Sequence, residues 1–252
     1  MGGKIHTITT SLTALVNNPD NSSIIGNRDS QLLFGETFEA ESESGEWVHG
    51  TSIIDGYKGH VRTAHLAPAK KPATHFINQR WTHIYPEASF KTRPVINLGL
   101  MSRLSADDQK KQDGFVSVPG YGWASEDHIK PLSALTPDKD FVETALSFLG
   151  CPYLYGGRSA QGLDCSALAQ IALLRSGISC PRDSDQQINL GITIEKNGLR
   201  RGDLVFFKGH VGIMVDDENI LNATSRTMDV RIEALDDLEN IYKGITRIRR
   251  IA

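Results

Sequence analysis

The sequence predicts two small all-β barrels followed by an α+β domain, and three observations carry that prediction. Residues 5–68 alternate short β-type runs with turn signals, and residues 75–132 repeat that grammar in looser form. After Leu135 the pattern changes to helix caps and helical spacing, and then to a run of strands. A chain of 252 residues is long enough for such a series of domains.

In the first region "TALV", "SIIGN", "QLLFGETFEAES", "GEWVHGTSI" and "DGYKGHVRTAHL" place apolar residues at period two between turns such as "NNPDNSS". That is the pattern of short antiparallel strands closing into a barrel. "KKPAT" at 70–74 predicts a linker. The second region carries "RWTHIYPEAS", "RPVINLGLMSRLS" and "GFVSVPGYGWASEDHIKPL". An internal echo joins the two: "DGYKGHVRTAHLAP" and "GYGWASEDHIKPL" each run from a glycine-flanked aromatic through a short strand to a histidine and a Leu or Pro exit. The predicted boundaries are 1–70, 75–133 and 136–252.

In the third region Thr136 is the expected N-cap of a first helix, with Pro137 at its first position, Asp138 and Asp140 at its positive end and Gly150 at its stop. Phe141, Val142, Ala145, Leu146 and Leu149 share one helical face. A second helix runs from Cys165 to about Ser176 and closes at Gly177, with Leu168, Ile171, Ala172 and Arg175 at helical spacing. Turn-rich residues 178–203 precede the strand-type runs "DLVFFK", "HVGIMVD", "NILNAT", "DVRIEAL" and "GITRIRRI".

Composition narrows the function classes. A net charge of −3 supplies no basic field, so neither nucleic acid nor an anionic membrane surface is an expected partner. The apolar runs are far short of a bilayer span. The N-terminal stretch has no apolar core of signal-peptide length, so the chain as it stands suits the cytoplasm; trimmed of a signal peptide, it would be secreted. Three cysteines, none in a C-x-x-C pair, fit neither a disulfide framework nor structural zinc. "YGGRSAQG" lacks the G-K-[ST] of a phosphate loop, and "DDENILN" and "ALDDLEN" lack calcium-loop spacing. The basic end "RIRRIA" reads as a solvated last strand. A monomer without cofactor or metal is expected.

The chemistry is expected in the third domain. A thiol attacks a carbonyl as thiolate and needs a lowered pKa or a nearby base. Cys165 falls in a first helical turn behind Asp164, a suitable N-cap, where unpaired N–H groups and the helix dipole favour an anion. Cys151 follows a helix end, and both Cys151 and Cys180 precede prolines. The bland alternative is a small buried residue, since free cysteine is often buried. Seven of the eight histidines precede residue 135, leaving His210 as the sole imidazole base in the domain of Cys165. In "KGHVGIMV" a strand places His210 and Gly212 on one face, with Gly212 leaving room beside the ring. The alternative there is a histidine capping a strand. Twelve residues on, Asn222 in the next strand is placed to accept the second ring N–H, as in the Cys-His-Asn arrangement of papain-like enzymes.

"YLYGGRSAQGLDCSALAQ", "PRDSDQQ", "RRGDLVFFKGHVGIMV" and "NILNATS" together resemble the NlpC family of cell-wall cysteine peptidases over roughly residues 137–250. The front half resembles the paired bacterial SH3-like domains of dipeptidyl-peptidase members, through "QLLFGETFEA" and "DGYKGHVRTAHL". The resemblance implies an α+β papain-like (NlpC-type) catalytic domain preceded by two SH3-like barrels. It implies a catalytic set of Cys165 as nucleophile, His210 as base and Asn222 as orienting residue, the last standing where a second histidine is common. The implied reaction is hydrolysis of the γ-D-glutamyl to diamino acid bond, with lysine or meso-diaminopimelate, in peptidoglycan stem peptides. Members that act on free peptides bind the N-terminal L-alanine ammonium, and the matching substrate-binding residues are Tyr153, Asp164, Ser166, Asp183 and Ser184. The first barrel is expected to limit substrate length, with Glu36 and Tyr57 as candidates. Two other functions stay open: an inactive wall-binding protein, and amidase or acyltransferase chemistry on the same fold.

Overall fold

The computed structural model describes residues 3–19, 28–137 and 140–251. The "SIIGN" run and Asp138 lie outside the described residues. The chain divides into two compact units, Met1–Leu135 and Thr136–Ala252.

Among its described residues the first unit is all-β apart from single 3-10 turns. A seven-stranded antiparallel sheet runs in the order Arg28–Leu33, Leu12–Val16, Lys58–Arg62, Trp47–Ser52, Thr37–Ser44, Lys4–Ile8, Leu66–Pro68. Alternate residues such as Leu15, Phe38, Val48 and Val61 point inward and form its core, as the period-two pattern requires. Residues 75–131 build a five-stranded and a three-stranded sheet around Ile77, Ile84, Leu98, Val116 and Ala124. These two β regions are joined by more than the 70–74 segment. Phe34 belongs to the second core, and the Arg103 N–H donates to the Phe34 carbonyl at 2.8 Å. Gly35, at φ +75°, brings its backbone so close that a Cβ would stand 1.8 Å from the Arg103 carbonyl oxygen.

The internal echo is a structural repeat. Lys58–Arg62 leads through the 3-10 turn Thr63–His65 into Leu66–Pro68, and Gly122–Ser125 leads through Glu126–His128 into Ile129–Pro131. In both copies the turn ends on a histidine whose Nδ1 meets a threonine hydroxyl: His65 with Thr13 at 2.8 Å, and His128 with Thr82 at 2.6 Å.

Among the described residues, the second unit holds a six-stranded antiparallel sheet, a two-stranded ribbon of Arg158–Ser159 and Gly162–Leu163, and four α-helices. The sheet order is Ile192–Thr193, Arg247–Arg250, Leu204–Phe207, His210–Met214, Asn219–Thr224, Asp229–Ala234. Helix α1 spans Phe141–Leu146 and begins later than expected: Asp140, not Thr136, is the N-cap, accepting the Val142 N–H at 2.9 Å. Helix α2 spans Cys165–Arg175, with Asp164 as N-cap and Gly177 at φ +71° just past its end. Every residue from Ser166 to Arg175 is buried, because α2 packs against α1 and against the His210 and Asn222 strands. A four-residue helix α3, Ser184–Gln187, and a helix α4, Leu235–Tyr242, were not apparent in the residue pattern. Leu235 and Leu238 of α4 pack with Val205, Phe207, Met214 and Ile220 of the sheet. Among the described residues no helix is long and apolar enough to cross a membrane.

Candidate active site

Cys165 opens α2 and is half-buried, where every other residue of that helix is buried. Its position follows from the cap before it. The Asp164 carboxylate accepts the Ala167 N–H at 2.9 Å and the Ser166 hydroxyl at 3.1 Å on Oδ1, and the Gly156 N–H at 2.8 Å on Oδ2. Arg182 completes the set bidentately, at 3.0 Å to Oδ1 and 2.7 Å to Oδ2, and donates to the Ser166 hydroxyl at 2.8 Å. Asp164 is 6% exposed and Arg182 1%, so this is a buried ion pair whose desolvation is offset by near-complete hydrogen bonding. Arg182 is thus the internal counter-charge of Asp164 and a donor to Ser166, two of the residues expected to line the substrate ammonium pocket.

Burial and charge oppose the activation that the helix start suggests. Burial, followed by the Asp164 charge, pushes the Cys165 pKa up to about 12. Hydrogen bonds from the Val211 and Ser166 N–H groups and the Arg182 charge act the other way without prevailing. The bond from Val211 means that the peptide joining His210 to Val211 faces the thiol.

His210 is 5% exposed at the head of its strand. Its Nε2 lies 3.1 Å from Asn222 Oδ1, leaving Nδ1 as the second ring nitrogen. Burial, the dominant cause, brings the imidazole down to about 4, against the upward pull of the Asn222 bond. The Tyr242 ring of α4 stacks on the imidazole at 4.8 Å between centroids and 8° between planes. Gly212 does not leave room beside the imidazole as expected. A Cβ there would stand 2.5 Å from Ile220 Cδ1, so the glycine admits Ile220 of the neighbouring strand. The strand is buried on both faces, which its alternating sequence does not reveal.

Tyr153 belongs to the same surroundings: burial raises its phenol well above the ordinary range, and the charges of Cys165 and Asp164 add to the effect. Asp183 and Ser184, both half-buried, stand at the start of α3, which Gln187 ties to α2 by donating to the Ser166 carbonyl at 2.9 Å. The hydrogen-bonded His210–Asn222 pair and Cys165 thus share one region through the Val211 N–H, with Tyr153 near Cys165 and Asp183–Ser184 directly following Arg182 in the chain. Of the residues proposed for the first barrel, Glu36 is 1% exposed and accepts the Leu33 N–H at 2.9 Å, and Tyr57 packs on the first β core. Arg182, Gln187, Glu233 and Tyr242 are site neighbours that sequence reasoning did not find as such. Among the described residues no group of His, Cys, Asp and Glu is placed to hold a metal ion.

This geometry agrees with what the chain resembles. Residues 150–247 match the model of the NlpC/P60 family, and residues 20–66 match that of the bacterial dipeptidyl-peptidase Sh3 domain. A gamma-D-glutamyl-L-lysine dipeptidyl-peptidase of Bacillus subtilis (strain 168) is 28% identical over 246 residues, covering 87% of this chain and 80% of the relative. Dipeptidyl-peptidase 6 of Lysinibacillus sphaericus is 33% identical over 186 residues, 68% of each chain. The crystal structure of an NlpC/P60 family protein from Bacillus cereus ATCC 10987 covers 98% of this chain and 99% of its own, with a TM-score of 0.83 at 21% identity, a likeness of fold.

Proposed function

The chain belongs to the NlpC/P60 family and is a peptidase of the peptidoglycan-hydrolysing kind, and from that premise we propose that Cys165, His210 and Asn222 cleave the γ-D-glutamyl to diamino acid bond of stem peptides. The single observation that carries the assignment is the pairing of His210 Nε2 with Asn222 Oδ1 while the His210–Val211 peptide faces the thiol. An amide oxygen on Nε2 requires the proton there and leaves the Nδ1 lone pair as the base.

With the thiol held high and the imidazole low, the resting pair is neutral, and His210 acts as general base during attack. As the Cys165 sulfur bonds to the γ-carbonyl carbon, its proton passes to His210 Nδ1. The imidazolium then returns that proton to the departing amine as the C–N bond breaks, leaving a thioester. Water attacks the thioester, giving one proton to His210, which hands it to the leaving sulfur. The backbone N–H of Cys165 at the α2 start is the donor for the oxyanion.

On this reading the substrate carries a free N-terminal L-alanine whose ammonium meets Asp183, with Tyr153, Asp164, Ser166 and Ser184 as the other residues of its pocket. Residues 75–133 are a second SH3-like domain, which the structural repeat in the first unit supports. The test offers L-Ala-γ-D-Glu-L-Lys, its meso-diaminopimelate counterpart and their N-acetylated forms to wild type and Cys165→Ala, with mass spectrometry of products. Release of L-Ala-γ-D-Glu from the free peptides alone, and only by wild type, is expected. Equal cleavage of acetylated peptides removes the ammonium role, and cleavage by the variant removes Cys165 as nucleophile.

A further inference from the structure

A closed circuit of side chains runs behind the imidazole. Asn222, fully buried, presents Oδ1 to His210 Nε2 at 3.1 Å and donates Nδ2 to Glu233 Oε2 at 3.0 Å. Arg226 holds the same carboxylate, at 2.8 Å to Oε1 and 2.6 Å to Oε2. Arg226 also hydrogen-bonds Tyr242, whose ring stacks back on His210. Asn222 and Glu233 are brought together by strand pairing, in which Asn222 faces Arg231 and Ile220 faces Glu233.

A primary amide has a donor end and an acceptor end of nearly equal size, so an asparagine beside an imidazole can satisfy either tautomer by rotating half a turn. With Nδ2 toward the ring, Nε2 becomes the acceptor and the ring proton moves to Nδ1, where it blocks the base. A carboxylate only accepts. With Glu233 behind it, the amide has one favourable setting, because the reversed amide would set Oδ1 against Glu233 Oε2, two acceptors facing each other. Burial of Glu233 works against its charge, but Arg226 and Asn222 outweigh that and hold its carboxyl below the usual range, so it stays ionised at neutral pH.

We propose that Glu233, anchored by Arg226, is a positioning residue that fixes the Asn222 amide and thereby keeps the His210 proton on Nε2 and the Nδ1 lone pair toward Cys165. The charged groups around the ring are Glu233 and Arg226, with Tyr242 from α4 and Cys165 from α2 as its titratable neighbours. This inference rests on the proposed peptidase reading for its kinetic consequence, and on the circuit itself for the tautomer.

The test reads both. In wild type with nitrogen-labelled histidine, heteronuclear spectra assigned by comparison with His210→Gln place the His210 proton on Nε2 at neutral pH; a proton on Nδ1 overturns the proposal. Glu233→Gln is isosteric but can donate as well as accept, so the His210 signal divides between tautomers. Its kcat on L-Ala-γ-D-Glu-L-Lys falls about tenfold while KM stays within about twofold. Glu233→Asp, which only accepts, recovers most of that loss. A Glu233→Gln enzyme with unchanged kcat and a single Nε2 tautomer overturns the proposal. If Glu233→Gln does not fold, the wild-type spectrum decides; if wild type cleaves no γ-D-glutamyl peptide, the peptidase reading fails and the tautomer measurement still stands.

Discussion

At the scale of single residues, the site depends on two buried titrations with opposite senses. His210 has a folded pKa of about 4 against an ordinary 6.5, so between those values the unfolded chain binds a proton that the folded one does not. Stability from this group is complete above pH 6.5 and is lost as pH falls toward 4; the gap is worth roughly 3 kcal/mol. Denaturant melts from pH 7 to 4 are expected to show a steeper loss for wild type than for His210→Gln, and parallel curves would remove the buried neutral imidazole. The same depression keeps His210 unprotonated in mild acid, so if it is the base as proposed, the acid limb of kcat/KM is expected near pH 4 to 5 and not at the ordinary imidazole value. Cys165, pushed up to about 12, is expected to show no ultraviolet thiolate absorbance at pH 7 in a difference spectrum against Cys165→Ala. A thiolate band there would restore the helix-dipole account. Cys165, His210 and Asn222 were legible because each carries a local signal: a helix start, a domain with one histidine, a fixed strand spacing. Arg182 was not, because its meaning lies in Asp164, 18 residues away and across the fold. Glu233 was hidden for a related reason, since only the strand register brings it to Asn222.

At the scale of elements, the first turn of α2 is where packing and chemistry share parts. One carboxylate caps the helix, fixes the Gly156 N–H and neutralises Arg182, so the helix start and the floor of the site are a single construction. Removing the guanidinium by Arg182→Met leaves Asp164 buried without its counter-charge. A loss of about 3–5 kcal/mol is expected in urea melts, since a broken buried pair strands the partner. A loss under about 1 kcal/mol, the worth of a surface pair, would show that water replaces the arginine. The central strand makes a second case, because Gly212→Ala sets a methyl 2.5 Å from Ile220 Cδ1 and is expected to cost about 1–3 kcal/mol by overpacking. Helix α2 was readable from its cap, apolar spacing and glycine stop. Helix α1 was misplaced by four residues because Thr136 and Asp140 both make good caps, and only the fold chose Asp140. Helix α4 is hidden in the sequence because its packed face is reduced to Leu235, Leu238 and Tyr242, set among four polar or charged residues and an exposed Ile241.

At the scale of the whole molecule, two compact units each keep their own core, and the repeat within the first was visible in the sequence because its turn, histidine and exit strand recur in order. What the repeat did not disclose is how its two halves hold each other: Phe34 leaves the first sheet to join the second core, and Gly35 makes this possible by lying against the Arg103 carbonyl. Gly35→Ala combines a left-handed φ of +75° with a Cβ 1.8 Å from backbone oxygen, and neither can be relieved by moving a side chain. The 2.8 Å bond from Arg103 N–H to the Phe34 carbonyl must lengthen and Phe34 must shift in its core. The cost is expected to exceed about 2 kcal/mol, by the measure of strained backbone and overpacked cores. Because the affected contacts lie in the first unit, hydrogen exchange followed by mass spectrometry should show faster exchange around residues 33–36, 75–77 and 101–104. The His210–Met214 and Asn219–Thr224 strands should exchange as in wild type. Acceleration spread evenly over both units would instead mean that the chain unfolds as one cooperative body, and the separate cores would not define its units of stability.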